Sequence, residues 1–209
     1  MKVLITAGPT YERIDPVRFI GNYSTGKMGF AIAETFAERG HDVVLVAGPV
    51  QIKSENTRIH RIDVESAAQM YEAVMREFQN VDGAVLCAAV ADFTPIVVAD
   101  KKIKREGDNL VIELKPTQDI AAAVGRAKRP NQFLVGFALE TNDEEAHALD
   151  KMRRKNLDFI VLNSLNDKNA CFGYDTNKVT ILKANGEKKE YPLKSKREVA
   201  EDIYNNIIK

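Results

Sequence analysis

Tryptophan is absent from this chain, cysteine occurs twice and histidine three times. Two thiols, Cys87 and Cys171, are too few for a disulfide framework. His41, His60 and His147 stand apart from one another, and no Cys/His cluster has zinc-site spacing, so no protein metal site is expected. Net charge is missing as well: Lys+Arg and Asp+Glu both number 30. No global field therefore draws the chain to nucleic acid or to an anionic membrane, and any anion site has to be local. No apolar run is long enough to span a bilayer. The opening MKVLITAGPTYE lacks signal-peptide anatomy. There is no internal repeat, no low-complexity tract and no Pro/Gly/Ser-rich linker. What remains is a 209-residue chain, 44% hydrophobic and 29% charged, with material for a sizeable core. It is expected to be one domain over residues 1–209, in the cytoplasm with its thiols reduced.

Apolar runs alternate with helical patterns. KVLIT (2–6), DVVLVAG (42–48), DGAVLCAAV (82–90), QFLVGFALE (132–140) and DFIVLN (158–163) are continuous enough to be buried strands, and RIHRID (58–63) suits an edge. Helical periodicity covers 29–40, 66–79, 143–156 and 195–209. Buried strands separated by helices predict an α/β fold: a Rossmann-like three-layer sandwich around a mostly parallel sheet. Two segments break the rhythm as expected β-hairpins: 101–115, with GDN at its turn, and about 178–193, with Asn185-Gly186 as the turn signal.

The densest chemistry lies in DPVRFIGNYSTGKMG (15–29), between the first strand and the first helix. Arg18, Asn22, Ser24, Thr25, Gly26 and Lys27 crowd a helix start, where unpaired N–H groups favour phosphate or carboxylate. A P-loop reading of GNYSTGKM fails at Met28, where the Mg²⁺-binding hydroxyl belongs. A dinucleotide fingerprint, G-x-G-x-x-G, is absent. A loop whose glycines serve turns alone does not explain the crowding.

The stretch ITAGPTYERIDPVRFIGNYSTGKMG resembles the opening of phosphopantothenoylcysteine synthetases, the ligase half of bacterial bifunctional coenzyme A biosynthesis flavoproteins. The resemblance continues through CAAVADF (87–93), KIK (102–104), VGFALET (135–141), KMRRKNLDFIVLN (151–163) and GYDTNKVTIL (173–182), nearly the whole chain. It implies CTP-dependent joining of 4′-phosphopantothenate to L-cysteine through an acyl-cytidylate, with Mg²⁺ carried by the triphosphate. It implies a homodimer, with the two hairpins as candidate interface. A phosphopantothenoylcysteine decarboxylase domain is an implied partner, and no flavin is expected in this chain.

By resemblance, Asn22 contacts the acyl-phosphate centre, although an Asn here can also stabilise its own turn. Arg18 holds either a substrate anion or the loop itself. Ser24, Thr25, Gly26 and Lys27 form a phosphate-binding loop, against the plainer roles of cap and surface residues. Lys102 is a triphosphate ligand, beside the alternative of a solvated basic strand edge. The loop around 93–105 is a candidate lid. Leu86, Cys87, Ala88 and Asp92 face the nucleotide at a strand end; Gln118, Asp119, Ile120 and Ala121 form a nucleotide-binding turn, with Gln118 where the family usually has Pro. Phe137, Lys151 and Lys155 complete the nucleotide set, though an aromatic in a central strand is core by default and i, i+4 lysines are commonly surface residues. Cys87 in an apolar strand is poorly placed to ionise as a nucleophile. Two other readings stand beside the ligase: an NAD(P)-dependent Rossmann-like reductase, and a nucleotide-binding module without catalysis.

Overall fold

The structure, a computed structural model, describes residues 1–105, 107, 109–140, 144–164, 169–170 and 172–208. In chain order the elements are β1 (Lys2–Ala7), β2 (Tyr11–Arg13), β3 (Phe19–Gly21), α1 (Lys27–Glu38), β4 (Asp42–Ala47), β5 (Ile59–Asp63) and α2 (Ala67–Phe78). Then come β6 (Gly83–Leu86), β7 (Phe93–Pro95), β8 (Leu114–Pro116), α3 (Ile120–Ala127), β9 (Phe133–Glu140) and α4 (Glu144–Arg154). The chain closes with β10 (Phe159–Ser164), β11 (Thr176–Asn177), β12 (Thr180–Lys183), β13 (Lys188–Glu190), β14 (Lys194–Ser195) and α5 (Lys196–Ile207).

Eight strands form the main sheet in the order β13-β12-β10-β9-β6-β1-β4-β5. From β10 to β5 every pairing is parallel, while β12 and β13 extend the sheet antiparallel. Residues on β1 show why continuous apolar runs suit this sheet. Val3, Ile5 and Ala7 pack into the core shared with α1 and α5, and Leu4 into the core shared with α2, α3 and α4. Both faces are dry, so neither can be polar. The chain moves outward from β1 to β4 and β5, then returns to β6 on the other side. That reversal opens a crevice beyond the C-terminal ends of β1 and β6, the usual ligand position in such sheets.

The helices facing this crevice start differently. Ser195 caps α5 in a reciprocal box with Glu198, and Asp119 caps α3 through the Ala122 amide. Before α1 stands Gly26 at φ 80°, with no side chain accepting from the first turn. Gly29 brings α1 onto β1: a Cβ there would lie 2.5 Å from the Ala7 Cβ.

The hairpin expected at 178–193 is present as β12 and β13, with Gly186 at φ 89°. The one expected at 101–115 is not. Its described residues before Leu114 form no strand, and β8 pairs instead with the distant β7. Its turn residue Asp108 lies outside the described residues, as do Cys171, Thr141, and Asp143 at the expected start of α4. An unanticipated hairpin, β2–β3, fills the long insertion after β1. The run 82–90 is a strand only to Leu86; beyond it the parallel pairing returns as a single bridge, Pro9–Ala89. Among the described residues no helix is long and apolar enough to cross a membrane.

Candidate active site

Beyond β1, β6, β9 and β10 lies a cavity of about 650 Å³. Its floor is made by backbone that the sheet can no longer pair. The Ala88 amide donates to Thr6 Oγ1 (3.1 Å) and the Ala91 amide to Thr10 Oγ1 (2.9 Å). The Ala89 amide donates to the Gly8 carbonyl (2.9 Å) and its carbonyl accepts from the Thr10 amide (3.2 Å). Two buried threonines thus substitute for missing ladder partners. Asn22 is fixed to the same turn, Nδ2 donating to the Ala89 carbonyl at 2.9 Å. One amide hydrogen is thereby committed; the second hydrogen and Oδ1 remain.

The lining gathers Asn22, Ser24, Thr25, Gly26 and Lys27 from the first loop, and Leu86, Cys87, Ala88 and Asp92 from the end of β6. It adds Gln118, Asp119, Ile120 and Ala121 at the start of α3, Phe137 on β9, and Lys151 and Lys155 on α4. These sixteen residues were all singled out in the sequence, and the fold brings them to one cavity. A chain with no net charge places four lysines around it, Lys27, Lys151, Lys155 and Lys196, against the carboxylates of Asp92 and Asp119.

All four already hold an acceptor, Lys196 Nζ donating to the Tyr174 carbonyl at 2.6 Å. Lys27 Nζ lies 2.5 Å from Asp175 Oδ1, and Lys151 Nζ donates to the Phe137 carbonyl at 2.8 Å. Lys155 Nζ is 2.9 Å from Asp119 Oδ2. Burial pushes the Asp119 carboxyl up, but the Ala122 amide and Lys155 outweigh it and the net shift is downward. The Asp175 carboxyl is lowered by its bond to Lys27. The Cys87 thiol is pushed up to about 12 by burial, opposed weakly by the Lys196 charge. It stays protonated at neutral pH and is no nucleophile.

Arg18 and Lys102 are not in the lining. Arg18 donates to Asp15 Oδ2 through Nε (3.0 Å) and Nη2 (2.5 Å), and Nη2 also reaches the Ile103 carbonyl (2.9 Å). The Ile103 amide returns to Asp15 Oδ2 at 3.1 Å. Of the two roles open to Arg18, this structure shows the holding of the loop. Lys102, the neighbour of Ile103, is exposed. The clamp thus keeps Arg18 and Lys102 together, beside the cavity rather than in it. Bonding to Arg18 holds the Asp15 carboxyl well below the usual carboxylate range; burial opposes the shift, and the Val17, Ile103 and Arg18 amides reinforce it.

Sequence reasoning missed one wall of the cavity. Asn163 at the end of β10, Asn177 on β11, Lys196 at the start of α5, and Phe172 line it too. Asn163 closes the apolar run DFIVLN, so the strand-end rule that drew attention to Cys87 and Ala88 applies to it equally. Asn177 falls within the GYDTNKVTIL block, which by itself assigns it no role, and Lys196 carries no local signal.

A family model described as the DNA/pantothenate metabolism flavoprotein C-terminal domain matches residues 1–209. A curated protein named cysteine/cysteine sulfinic acid decarboxylase, from an unknown prokaryotic organism, is 54% identical over 207 residues, 99% of this chain and 58% of that protein. The coenzyme A biosynthesis bifunctional protein CoaBC of Bacillus subtilis (strain 168) is 47% identical over 205 residues, 98% of this chain and 50% of that protein. A crystal structure of the C-terminal domain of coenzyme A biosynthesis bifunctional protein CoaBC matches with a TM-score of 0.83 at 43% identity, covering 99% of this chain and 93% of that one. The chain spans 58% and 50% of the length of these two curated relatives, and their names speak for the whole proteins.

Proposed function

The chain belongs to the family of the DNA/pantothenate metabolism flavoprotein C-terminal domain, and from that premise we propose that it is a ligase joining 4′-phosphopantothenate to L-cysteine in coenzyme A biosynthesis, with residues 1–209 acting as one catalytic domain. One observation carries this reading. A single cavity at the switch crevice collects Asn22, the uncapped start of α1, the bend after β6, the start of α3 and the lysines of α4. A nucleotide and a second phosphorylated substrate both need such a lysine-rich crevice with open backbone donors.

In this reading the substrate carboxylate attacks the α-phosphorus of CTP; the new bond is C–O–P, and pyrophosphate leaves. The cysteine amine then attacks the acyl carbon, CMP leaves with the C–O oxygen, and the amine gives up a proton. The first step is mainly a positioning problem. The second builds charge on the acyl oxygen, which needs a preorganised donor. Asn22, with its orientation fixed by Ala89 and one amide hydrogen uncommitted, is suited to that task. The preference for CTP rests on the resemblance to the synthetases. Among the described residues no three His, Cys, Asp or Glu side chains come together as a metal site. Magnesium in this reading arrives on the triphosphate oxygens, as the resemblance to the synthetases implies, and no step is assigned to a protein-held ion.

The reading extends to the arm between β7 and β8. Lys102 serves the triphosphate if this arm closes over the cavity. A homodimer is part of the same proposal. Exposed Val97 and Val111, 78% and 84% accessible, make the arm a better interface than β13, whose residues Lys188 to Glu190 are charged and exposed. Sedimentation showing a monomer at working concentration removes that part.

Pyrophosphate release tests the whole. With 4′-phosphopantothenate and Mg²⁺, CTP is expected to yield pyrophosphate, and L-cysteine to increase the yield and give phosphopantothenoylcysteine. Release with ATP alone overturns the nucleotide assignment. No release with either overturns the ligase.

A further inference from the structure

The wall missed in the sequence contains a side-chain amide whose orientation is fixed by a buried neighbour. Asn177 is 2% exposed. Its Oδ1 accepts from the Lys178 amide at 3.1 Å, which sets which end of the Asn177 amide is oxygen. Its Nδ2 then donates to Asn163 Oδ1 at 3.2 Å. With Oδ1 of Asn163 used as an acceptor, its Nδ2 is the end left over. Asn163 is half-buried and lines the cavity, and its side chain makes no other hydrogen bond among the described residues. Its NH₂ group is not sealed in the core either, because the only buried side-chain polar atom without a hydrogen bond among the described residues is Asp202 Oδ2, which is ion-paired with Lys194. The result is a donor, and only a donor, presented to the cavity.

What lies beside it selects the ligand atom. Asn177 Nδ2 also sits 3.9 Å from Met28 Sδ, in the first turn of α1. Asn163 therefore neighbours the helix start that has no side-chain cap, and Lys27 and Lys196 line the same cavity. Open amides, ammonium groups and an amide NH₂ all donate; an oxygen carrying negative charge and no proton satisfies all three, whereas a hydroxyl or amine hydrogen does not.

We infer that Asn163 is a ligand-binding residue whose Nδ2 donates to a phosphate oxygen at the start of α1, held to that task by Asn177. The inference rests on the ligase reading for the identity of the phosphate. Two substrates carry one, the nucleoside triphosphate and the phosphorylated acid, and binding measurements separate them.

The test compares wild-type protein with N163S and N163D by calorimetry, using CTP, 4′-phosphopantothenate and inorganic pyrophosphate as three separate titrants. N163S withdraws the donor without adding charge. N163D keeps an oxygen for Asn177 and is expected to melt with the wild type. A lost hydrogen bond to an anion weakens binding about tenfold to a hundredfold. That loss is expected for N163S toward one phosphate source, and a larger one for N163D. Loss with CTP alone assigns the nucleotide; loss with 4′-phosphopantothenate alone assigns the acid. Wild-type affinity for every titrant in N163S overturns the inference, even if N163D is weak, because repulsion then explains the latter. If wild-type protein binds pyrophosphate but neither substrate, and N163S weakens pyrophosphate, the ligase reading fails and the phosphate contact stands. If wild-type protein binds none of the three, both fall.

Discussion

At the C-terminal edge of the sheet, Ala88 is tied to Thr6, and Ala89 to Gly8 and Thr10, by hydrogen bonds, and the strands behind them have no exposed face. Across from them, the arm from Ile96 to Glu113 is held at a few points: the Ile96 amide on the Glu113 carbonyl, the Ala99 amide on the Ile14 carbonyl, and the clamp at Asp15. Val97, Val98, Leu110 and Val111 on the arm are exposed. The floor is thus built before any ligand arrives, whereas among the arm's described residues only Ala99, Ile103 and Ile112 are half-buried and none is buried. A reaction that must first position a carboxylate and then admit an amine gains from such a division. The rigid part holds the reacting atoms, and the weakly held part can move without unfolding the rest.

Core truncation gives the largest contrast. Phe36 on α1 is fully buried against β1 and α5, and Phe36→Ala is expected to cost about 3–5 kcal/mol. Val111→Ser on the arm is expected to stay within about 0.5 kcal/mol. Chemical denaturation reads both. A loss above about 2 kcal/mol for Val111→Ser makes the arm part of the cooperative core and ends the distinction.

Kinetics sharpen the comparison within the proposed reaction. Asn22 is bound to the floor and Lys102 stands on the arm, so their substitutions should separate the two steps. Asn22→Asp is expected to lower product formation by about 10²–10³-fold while pyrophosphate release survives and acyl-cytidylate accumulates. Lys102→Gln is expected to slow pyrophosphate release itself by about tenfold to a hundredfold. Quench-flow with labelled CTP distinguishes them. Equal losses in both steps for both variants deny the floor and the arm their separate roles.

How far the sequence foretold this follows the same division. The floor was legible because buried parallel strands are continuous apolar runs and because ligands sit at their ends. Asn185-Gly186 marked β12–β13 because a tight hairpin loop needs a residue at positive φ, which Gly186 supplies. The arm misled for a physical reason. GDN suggests a local turn, and Gly107 does adopt φ 78°. Yet pairing is decided by partners: Leu114–Pro116 finds Phe93–Pro95, a non-local choice no short-range pattern encodes. Asn163 and Asn177, joined by one hydrogen bond in space, are fourteen positions apart in sequence. The positions of both followed only from the fold.

Acid should loosen the arm before the floor, and this is the smallest of the expected effects. Asp15 binds Arg18 and accepts from the Ile103 amide, and its carboxyl titrates below the ordinary carboxylate value because of Arg18. A folded-state value below the unfolded one means that the unfolded or opened chain takes up protons first as pH falls. The stabilisation is therefore complete above the usual carboxylate range near pH 4 and is lost as pH drops through that range toward the folded value. Hydrogen exchange should show the Ile103 amide losing protection in that window while Ile5 on β1 keeps its own. Asp15→Asn should leave Ile103 weakly protected even at neutral pH and abolish the acid dependence. Were Ile5 and Ile103 to lose protection together as pH falls, arm and floor would open as one unit and the comparison would fail at its weakest predicted point.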